Sequence, residues 1–312
     1  MKIQVLAVKE LKNFMKKILY YKYLYILAIP GLLLVFIFSY LPMGGLIIAF
    51  KDYKFLKGIF GSPWVGLENF KFIFTQFPDF YNIVFNTLII SVYKKIFITP
   101  FPIILALLIN ELRNLRYKKL VQTTIYLPHF VSWAIFGTII IQFLSPEMGL
   151  INGVIKSLGF EPIYFLTESR YFRTIVVLSE LLKESGWSTI IYLAAISNID
   201  TETYNAAIID GANRFQRAIY ITVPGISDTI VFLFLLSLGQ ILNVSFDQIY
   251  VLLNPLVYDV GDIISTYVYR IGIGGAKFSL ATAIGLFQSF VGMTLIITSN
   301  QLSKKLFDKS IW

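Results

Sequence analysis

NAAIIDGANRFQRAIYITVPG, residues 205–225, is a polar interval between two long apolar runs. It carries Asp210, Arg214 and Arg217 and ends on Val223-Pro224-Gly225. On either side, residues 173–199 and 226–253 are each long enough to cross a ~30 Å hydrocarbon core as a helix, which takes roughly 20 residues. Four further runs have that length and character, at about 23–49, 83–109, 122–145 and 279–301. The reading of the interval therefore decides the fold: it is a short extramembranous element returning the chain to the bilayer.

Composition agrees. Of the 312 residues, 56% are hydrophobic and only 14% charged, against about a quarter charged in soluble domains. The mean hydropathy is +0.71. The expectation is an all-α integral membrane protein of six spans, with a basic segment at 1–22 and a single transmembrane domain over 23–312. The basic lead resembles a secretory signal, but its apolar run is too long for one and no small-residue cleavage site follows. It reads as an uncleaved first span.

Lys and Arg favour cytoplasmic loops. With the N-terminus inside, residues 1–22, 110–120, 200–225 and 302–312 hold 15 of the 27 Lys and Arg, whereas the longer outside segments 50–82, 146–172 and 254–278 hold eight. The expectation is N-in and C-in, with residues 205–225 on the cytoplasmic side. The net charge of +9 follows from this asymmetry and from contact with anionic lipid. No basic patch interleaved with aromatics points to nucleic acid. There is no cysteine and one histidine, His129, so disulfides, iron–sulfur clusters and Cys/His zinc sites are excluded. No metal site, carboxylate pair or Ser/His/Asp set offers catalysis, and the chain reads as no enzyme.

Taken as one helix over about 202–220, the interval puts Ile208, Ala212, Phe215 and Ile219 on one apolar stripe and Asp210, Arg214 and Arg217 on another. Ala206, Ala207 and Gly211 are small. Two readings stand side by side: a helix seated on lipid headgroups, or one docked on a protein partner, which the small residues favour.

The spans contain polar groups that a bilayer disfavours. A central charge costs roughly 2.5–3.5 kcal/mol on insertion scales and normally faces a cavity or a partner. Lys94 and Lys95 read either as a cation near an anionic sugar such as a uronate or, the favoured reading, as lysines that snorkel or pair with Glu180, Glu184 or Asp247; being ~100° apart on a helix, only one is expected on a pathway. Glu180, Lys183 and Glu184 read as a structural charge cluster, with Glu184 also a candidate for the substrate pathway. Gln240, Asn243, Asp247 and Gln288 are the hydroxyl-binding candidates, and Trp187, with Tyr192, a stacking surface against the alternative of lipid or core contact. His129 reads as a helix-end residue. Gly285, Ser289 and Gly292 suggest a close packing seam.

The interval resembles the EAA loop of bacterial ABC importer permeases: Glu-Ala-Ala, three residues, Gly, nine residues, then Ile-x-Leu-Pro. Here Asn205-Ala206-Ala207, Gly211 and Ile221-Thr222-Val223-Pro224 keep every spacing, with Asn205 in place of Glu and Val223 in place of Leu. GSPWVGLENF (61–70), LPHFVSW (127–133), SPEMGLIN (145–152), NPLVYDVGDIISTYVYR (254–270) and the terminal Ser310-Ile311-Trp312 extend the resemblance to the type I, MalF-like and LplB-like oligosaccharide permeases, from about Tyr23 to Trp312.

That resemblance implies a bacterial cytoplasmic-membrane subunit importing an oligosaccharide, an acidic one if a lysine meets it. It implies a second homologous permease as heterodimer partner, two ATPase subunits carrying ATP and Mg, and an extracytoplasmic binding protein. It makes Asn205, Ala206, Ala207, Asp210, Gly211, Ala212, Arg214, Phe215, Ile221 and Pro224 the coupling surface for the ATPase. No Gly-x-x-x-x-Gly-Lys-Ser/Thr loop occurs in the chain, so a phosphate cradle must come from a partner. The rivals are an ion-coupled secondary transporter of a polar solute, which would need a midplane relay and an inverted repeat, and a membrane-embedded enzyme.

Overall fold

The computed structural model describes residues 17, 20–239, 241, 242 and 244–307. Among them there is no strand, only an isolated bridge between Lys51 and Trp64. The chain divides into two compact units, Met1–Asn69 and Phe70–Trp312.

In the first unit a helical run extends from Lys22 to Phe50 with a mean hydropathy of 2.4. It opens as α1 (Lys22–Val35), widens to π turns over Phe36–Tyr40 and tightens to 3-10 turns over Leu41–Phe50. Pro42 lacks the N–H that would pair four residues back, and the widened turns lie just ahead of it. A loop then folds around Lys51, whose Nζ donates to Ile59 O at 2.8 Å and Ser62 O at 3.3 Å. Asn69 closes it by donating to Ala49 O and Lys51 O.

The second unit is built on α2 (Phe80–Ile98), α3 (Pro100–Asn110), α4 (Leu115–Tyr126), α5 (Trp133–Leu144) and the 29-residue α6 (Ser169–Ser197). These are followed by α7 (Thr201–Ile209), α8 (Arg214–Arg217), α9 (Ser227–Gly239), α10 (Phe246–Leu252), α11 (Ile264–Tyr269) and α12 (Phe278–Phe307). Ile90, Phe172, Val176, Ile249, Leu252 and Val257 form the main core; Ala106, Tyr192, Ile196 and Ile226 form a second. α6 runs through both, as its length of ~43 Å at 1.5 Å per residue allows.

Among the described residues three helices are long and apolar enough to cross a membrane, and five if each of two bent pairs is one span. α6 has the length but carries Arg173, Glu180, Lys183 and Glu184. Two expected spans are not single rods. Over 122–145 the chain bends by 103° between Leu115–Phe130 and Trp133–Leu144. Pro128 sits in a 3-10 turn, Val131 is extended, and Ser132 restarts the helix by accepting from Ile135 N. Over 226–253 the helix stops at Gly239 and resumes at Phe246. That break frees backbone carbonyls, which an apolar interior leaves without water. Side chains take them: Ser91 Oγ donates to Ile241 O, and Gln288 Nε2 donates to Leu242 O at 2.8 Å.

The irregular segment after α10 is held the same way. Asn86 Nδ2 donates to Asp259 O at 2.9 Å, while Arg173 donates to Asn86 Oδ1 at 2.7 Å and to Val260 O at 3.1 Å. At Gly285, the first residue of the expected seam on α12, a Cβ would meet nothing within 4 Å. A close crossing with backbone lies at Gly186 on α6, where a Cβ would lie 1.9 Å from Ile125 O.

Candidate functional site

Two places in the second unit gather the polar residues that the sequence singles out. The first is a cleft of about 250 Å³ between α2, α3, α6 and α9, bordered by Ser91, Lys94, Lys95, Glu180, Tyr192 and Ser237 among others. Lys94 is buried at 6% exposure. Its Nζ is bonded to the Glu180 carboxylate and to Gln248 Oε1 at 2.5 Å. Gln248 is fully buried and spends its amide hydrogens on Val176 O at 2.7 Å and Ser179 Oγ at 2.9 Å. A buried charge is tolerated only when paired and further hydrogen-bonded, and this network supplies both. Lys94 is thus held in place by the protein, the structural alternative weighed above.

Lys95 differs. It borders the same cleft, is half-buried, and makes no ion pair among the described residues. Both lysines border the cleft, because a four-carbon stem spans the ~100° between neighbouring positions. One is committed to Glu180 and the other is left to the cleft.

The remaining pathway candidates scatter. Glu184 binds His129 Nδ1 at 2.6 Å and Lys183 Nζ at 2.9 Å, and Lys183 also donates to His129 O. Trp187 stacks on His129 with ring centroids 4.6 Å apart and 7° between planes. This group borders the bend at residues 131–132, not the cleft. Asp247 is exposed, and its neighbour Gln248 takes the interior position. The stripe Gln240, Asn243, Asp247 assumed an unbroken helix; the break before Phe246 resets the register. Gln240 and Asn243 lie outside the described residues. Gln288 anchors the same break. Sequence reasoning missed Gln248, although a glutamine directly ahead of the apolar run IYVLL (249–253) was a signal for it.

The second place is residues 200–225. Instead of one helix over 202–220, the chain forms α7 and α8 at an articulated junction. Gly211 has φ +80°. Gly211 N donates to Ile208 O at 3.1 Å and Ala212 N donates to Ala207 O at 2.8 Å, the paired bonds of a Schellman ending. Asn213 then opens α8 through a reciprocal box with Gln216, at 2.9 and 2.8 Å. The stripe Ile208, Ala212, Phe215, Ile219 is consequently broken. Gly211 is needed for its backbone conformation; a Cβ there would meet nothing within 4 Å.

The base of this element is clamped. Tyr204 and Thr222 hydroxyls meet at 2.8 Å, and Gly225 lets Ile199 approach, since a Cβ would lie 2.7 Å from Ile199 Cδ1. Asp200 caps α7 through Glu202 N. Beyond the clamp, Ile209 is 85%, Phe215 73% and Tyr220 76% exposed. Asn205, Ala206, Asp210, Arg214 and Pro224 are exposed, while Ala207, Ala212 and Ile221 are half-buried. Arg214 reaches Glu111 at 3.7 Å, tying α8 to the turn after α3.

Residues 98–311 match the family described as the binding-protein-dependent transport system inner membrane component. Over 288 residues the chain is 48% identical to protein LplB of Bacillus subtilis, covering 92% of this chain and 90% of that protein. Over 301 residues it is 42% identical to the polygalacturonan/rhamnogalacturonan transport system permease protein YteP of the same organism, covering 96% and 94%. A solved structure of a bacterial ABC transporter involved in the import of the acidic polysaccharide alginate contains a chain that superposes with a TM-score of 0.87 at 39% identity, covering 95% of this chain and 99% of that one.

Proposed function

Because the chain belongs to the family of binding-protein-dependent transport system inner membrane components, we propose that it is the permease subunit of an ATP-binding cassette importer for an oligosaccharide bearing carboxylates. In this reading residues 23–312 form one transmembrane domain of six spans, N-in and C-in, behind a basic cytoplasmic segment at 1–22. α6 serves as the fourth span despite its charges, because Glu180, Lys183 and Glu184 are ion-paired and Arg173 is hydrogen-bonded to Asn86 Oδ1 and Val260 O. The chain is a translocation subunit, not an enzyme; ATP and Mg belong to two partner ATPase subunits. A second, homologous permease completes the pathway, and an extracytoplasmic binding protein delivers the saccharide.

The observation that carries this reading is the clamped α7–α8 element with its exposed Ile209, Phe215 and Tyr220. Apolar groups on a rigidly based projection suit a protein socket. Closure of the ATPases moves the projection as a body and biases the spans between two states. Asn205 contributes a neutral polar contact where the family motif has a carboxylate. The acidic substrate is supported by Lys95, a lysine on the cleft that makes no ion pair among the described residues, and by relatives that carry polygalacturonan/rhamnogalacturonan and alginate in their descriptions.

Two results are expected. In proteoliposomes holding the full complex, Gly211→Val should lower ATP-driven uptake about tenfold while the complex still assembles, because a left-handed β-branched residue stores ~1–2 kcal/mol and redirects α8. Gly211→Asn, which tolerates that conformation, should retain uptake. Wild-type rates in Gly211→Val would remove the coupling role. Separately, Lys95→Gln should slow uptake of trigalacturonate and leave a neutral trisaccharide unaffected; equal rates on both substrates in wild type and variant would end the acidic assignment.

A further inference from the structure

A second cavity, of about 260 Å³, lies away from the cleft and is bordered by Tyr250, Leu253, Tyr258, Tyr269, Arg270 and Gly274 among others. It is smaller than the ~300–1,000 Å³ that enclose a drug-sized ligand, and so has room for one ring of a chain that continues beyond it. Its walls come from α10, α11 and the π turns over Arg270–Gly274. Tyr250 and Tyr269 are 51% and 41% exposed. Their rings meet edge-on at 5.1 Å, and Phe246 backs them at 5.1 and 5.3 Å. Three rings locked against one another present faces with little rotamer entropy left to lose.

The polar wall is equally fixed. Arg270 Nη2 donates to Asp262 Oδ2 at 2.5 Å. Asp262, 3% exposed, also accepts from Thr266 Oγ1 at 2.8 Å. The guanidinium carbon lies 4.3 Å from the Tyr258 ring centroid and 5.3 Å from that of Tyr267. Burial works against the Arg270 charge, but the hydrogen bond and charge of Asp262 outweigh it and raise its pKa further. Burial, chiefly, pushes the neighbouring Tyr267 phenol up to about 12, with Asp79 and Asp262 adding to the rise and Arg270 opposing it. A guanidinium has five N–H donors; one anchors it to Asp262, and others remain for a ligand oxygen.

Interfacial tyrosines commonly form belts against headgroups. A belt has no need to converge on a cavity around a guanidinium held by a buried carboxylate. We propose that this cavity is an outer holding station for one pyranose ring of the incoming saccharide, with Tyr250 and Tyr269 against the ring's C–H face and Arg270 donating to its oxygens. The assignment rests on the importer reading, under which residues 254–278 face the outside. α10 then serves two places: Gln248 holds Lys94 at the inner cleft, and Tyr250 lies two residues on at the outer cavity.

The test uses the whole transporter in nanodiscs. Tyrosines are nitrated with tetranitromethane under rising trigalacturonate or maltotriose, and modification is read residue by residue by mass spectrometry. Saccharide should protect Tyr250 and Tyr269 and leave Tyr164, exposed in the outer segment 146–172, unchanged. Tyr250→Ala should shift half-protection of Tyr269 about tenfold higher, a loss of ~1.4 kcal/mol. Gly274→Leu should abolish protection; a Cβ at Gly274 meets nothing within 4 Å, so this variant fills the cavity without a clash. Protection by both sugars identifies the ring face as the recognised element, and protection by trigalacturonate alone identifies the carboxylate; either supports the station. No protection in wild type, or undiminished protection in both variants, overturns it. Failure of ATP-driven uptake with protection intact would instead defeat the importer reading and leave the cavity's occupant standing.

Discussion

Lys94→Met should destabilise the folded chain by about 3–5 kcal/mol, the range for stranding one member of a buried ion pair. Glu180 keeps 21% side-chain exposure, so hydration softens the loss toward the lower figure. The variant also removes the donor to Gln248 Oε1, and an unsatisfied buried acceptor adds about 1–3 kcal/mol. The double variant Lys94→Met, Glu180→Leu should recover most of the Glu180 part, because an apolar pair of similar volume replaces ions well. Equilibrium unfolding in mixed micelles, run as a double-mutant cycle, reads the coupling directly. A Lys94→Met protein as stable as wild type would mean that Lys94 is free for substrate, and the division of labour with Lys95 would be lost.

Gly186→Ala is the second large effect. The added Cβ would stand 1.9 Å from Ile125 O and 2.6 Å from Ile125 C. Backbone cannot swing aside as a flexible side chain does, so α6 must retreat from the end of α4. Overpacking commonly costs ~1–3 kcal/mol and occasionally more; a clash with backbone belongs at the top of that range. The His129–Trp187 stack and the Lys183 bond to His129 O border the same contact, and both should loosen. Gly285→Ala is the matched control: with open space around it, it should be neutral or slightly stabilising, since alanine is the better helix former by ~1 kcal/mol. Thermal melts of the two variants should differ clearly; equal melting would show that the crossing is looser than its geometry.

These variants also mark how far the sequence could be read. Apolar runs announce themselves because bilayer thickness sets their length, and the polar interval at 205–225 stands out by contrast. Gly211 and Asn213 were legible as punctuation, yet the helix over 202–220 was drawn through them: small residues suggested close approach, whereas the positive φ of Gly211 is what breaks the element. Periodicity likewise ran the 240–247 stripe across a break and chose Asp247 over Gln248. Gly285 and Gly186 look alike in sequence, and only the crossing partner at Ile125 distinguishes them. Tyr269 and Arg270 stood in the quoted segment 254–270, but nothing in it paired them with Tyr250, since aromatics abound throughout the chain.

Hydropathy by itself determined that this is a membrane protein, because transfer free energy acts locally along the chain, and the spaced motif at 205–224 carried the resemblance to importer permeases. Which lysine is neutralised, where spans break, and which rings share a cavity were decided only by tertiary structure. Each depends on a side chain or carbonyl far away in sequence: Lys94 on Glu180 and Gln248, the break before Phe246 on Ser91 and Gln288. Such pairings satisfy buried polar groups across helices, and no local pattern records them.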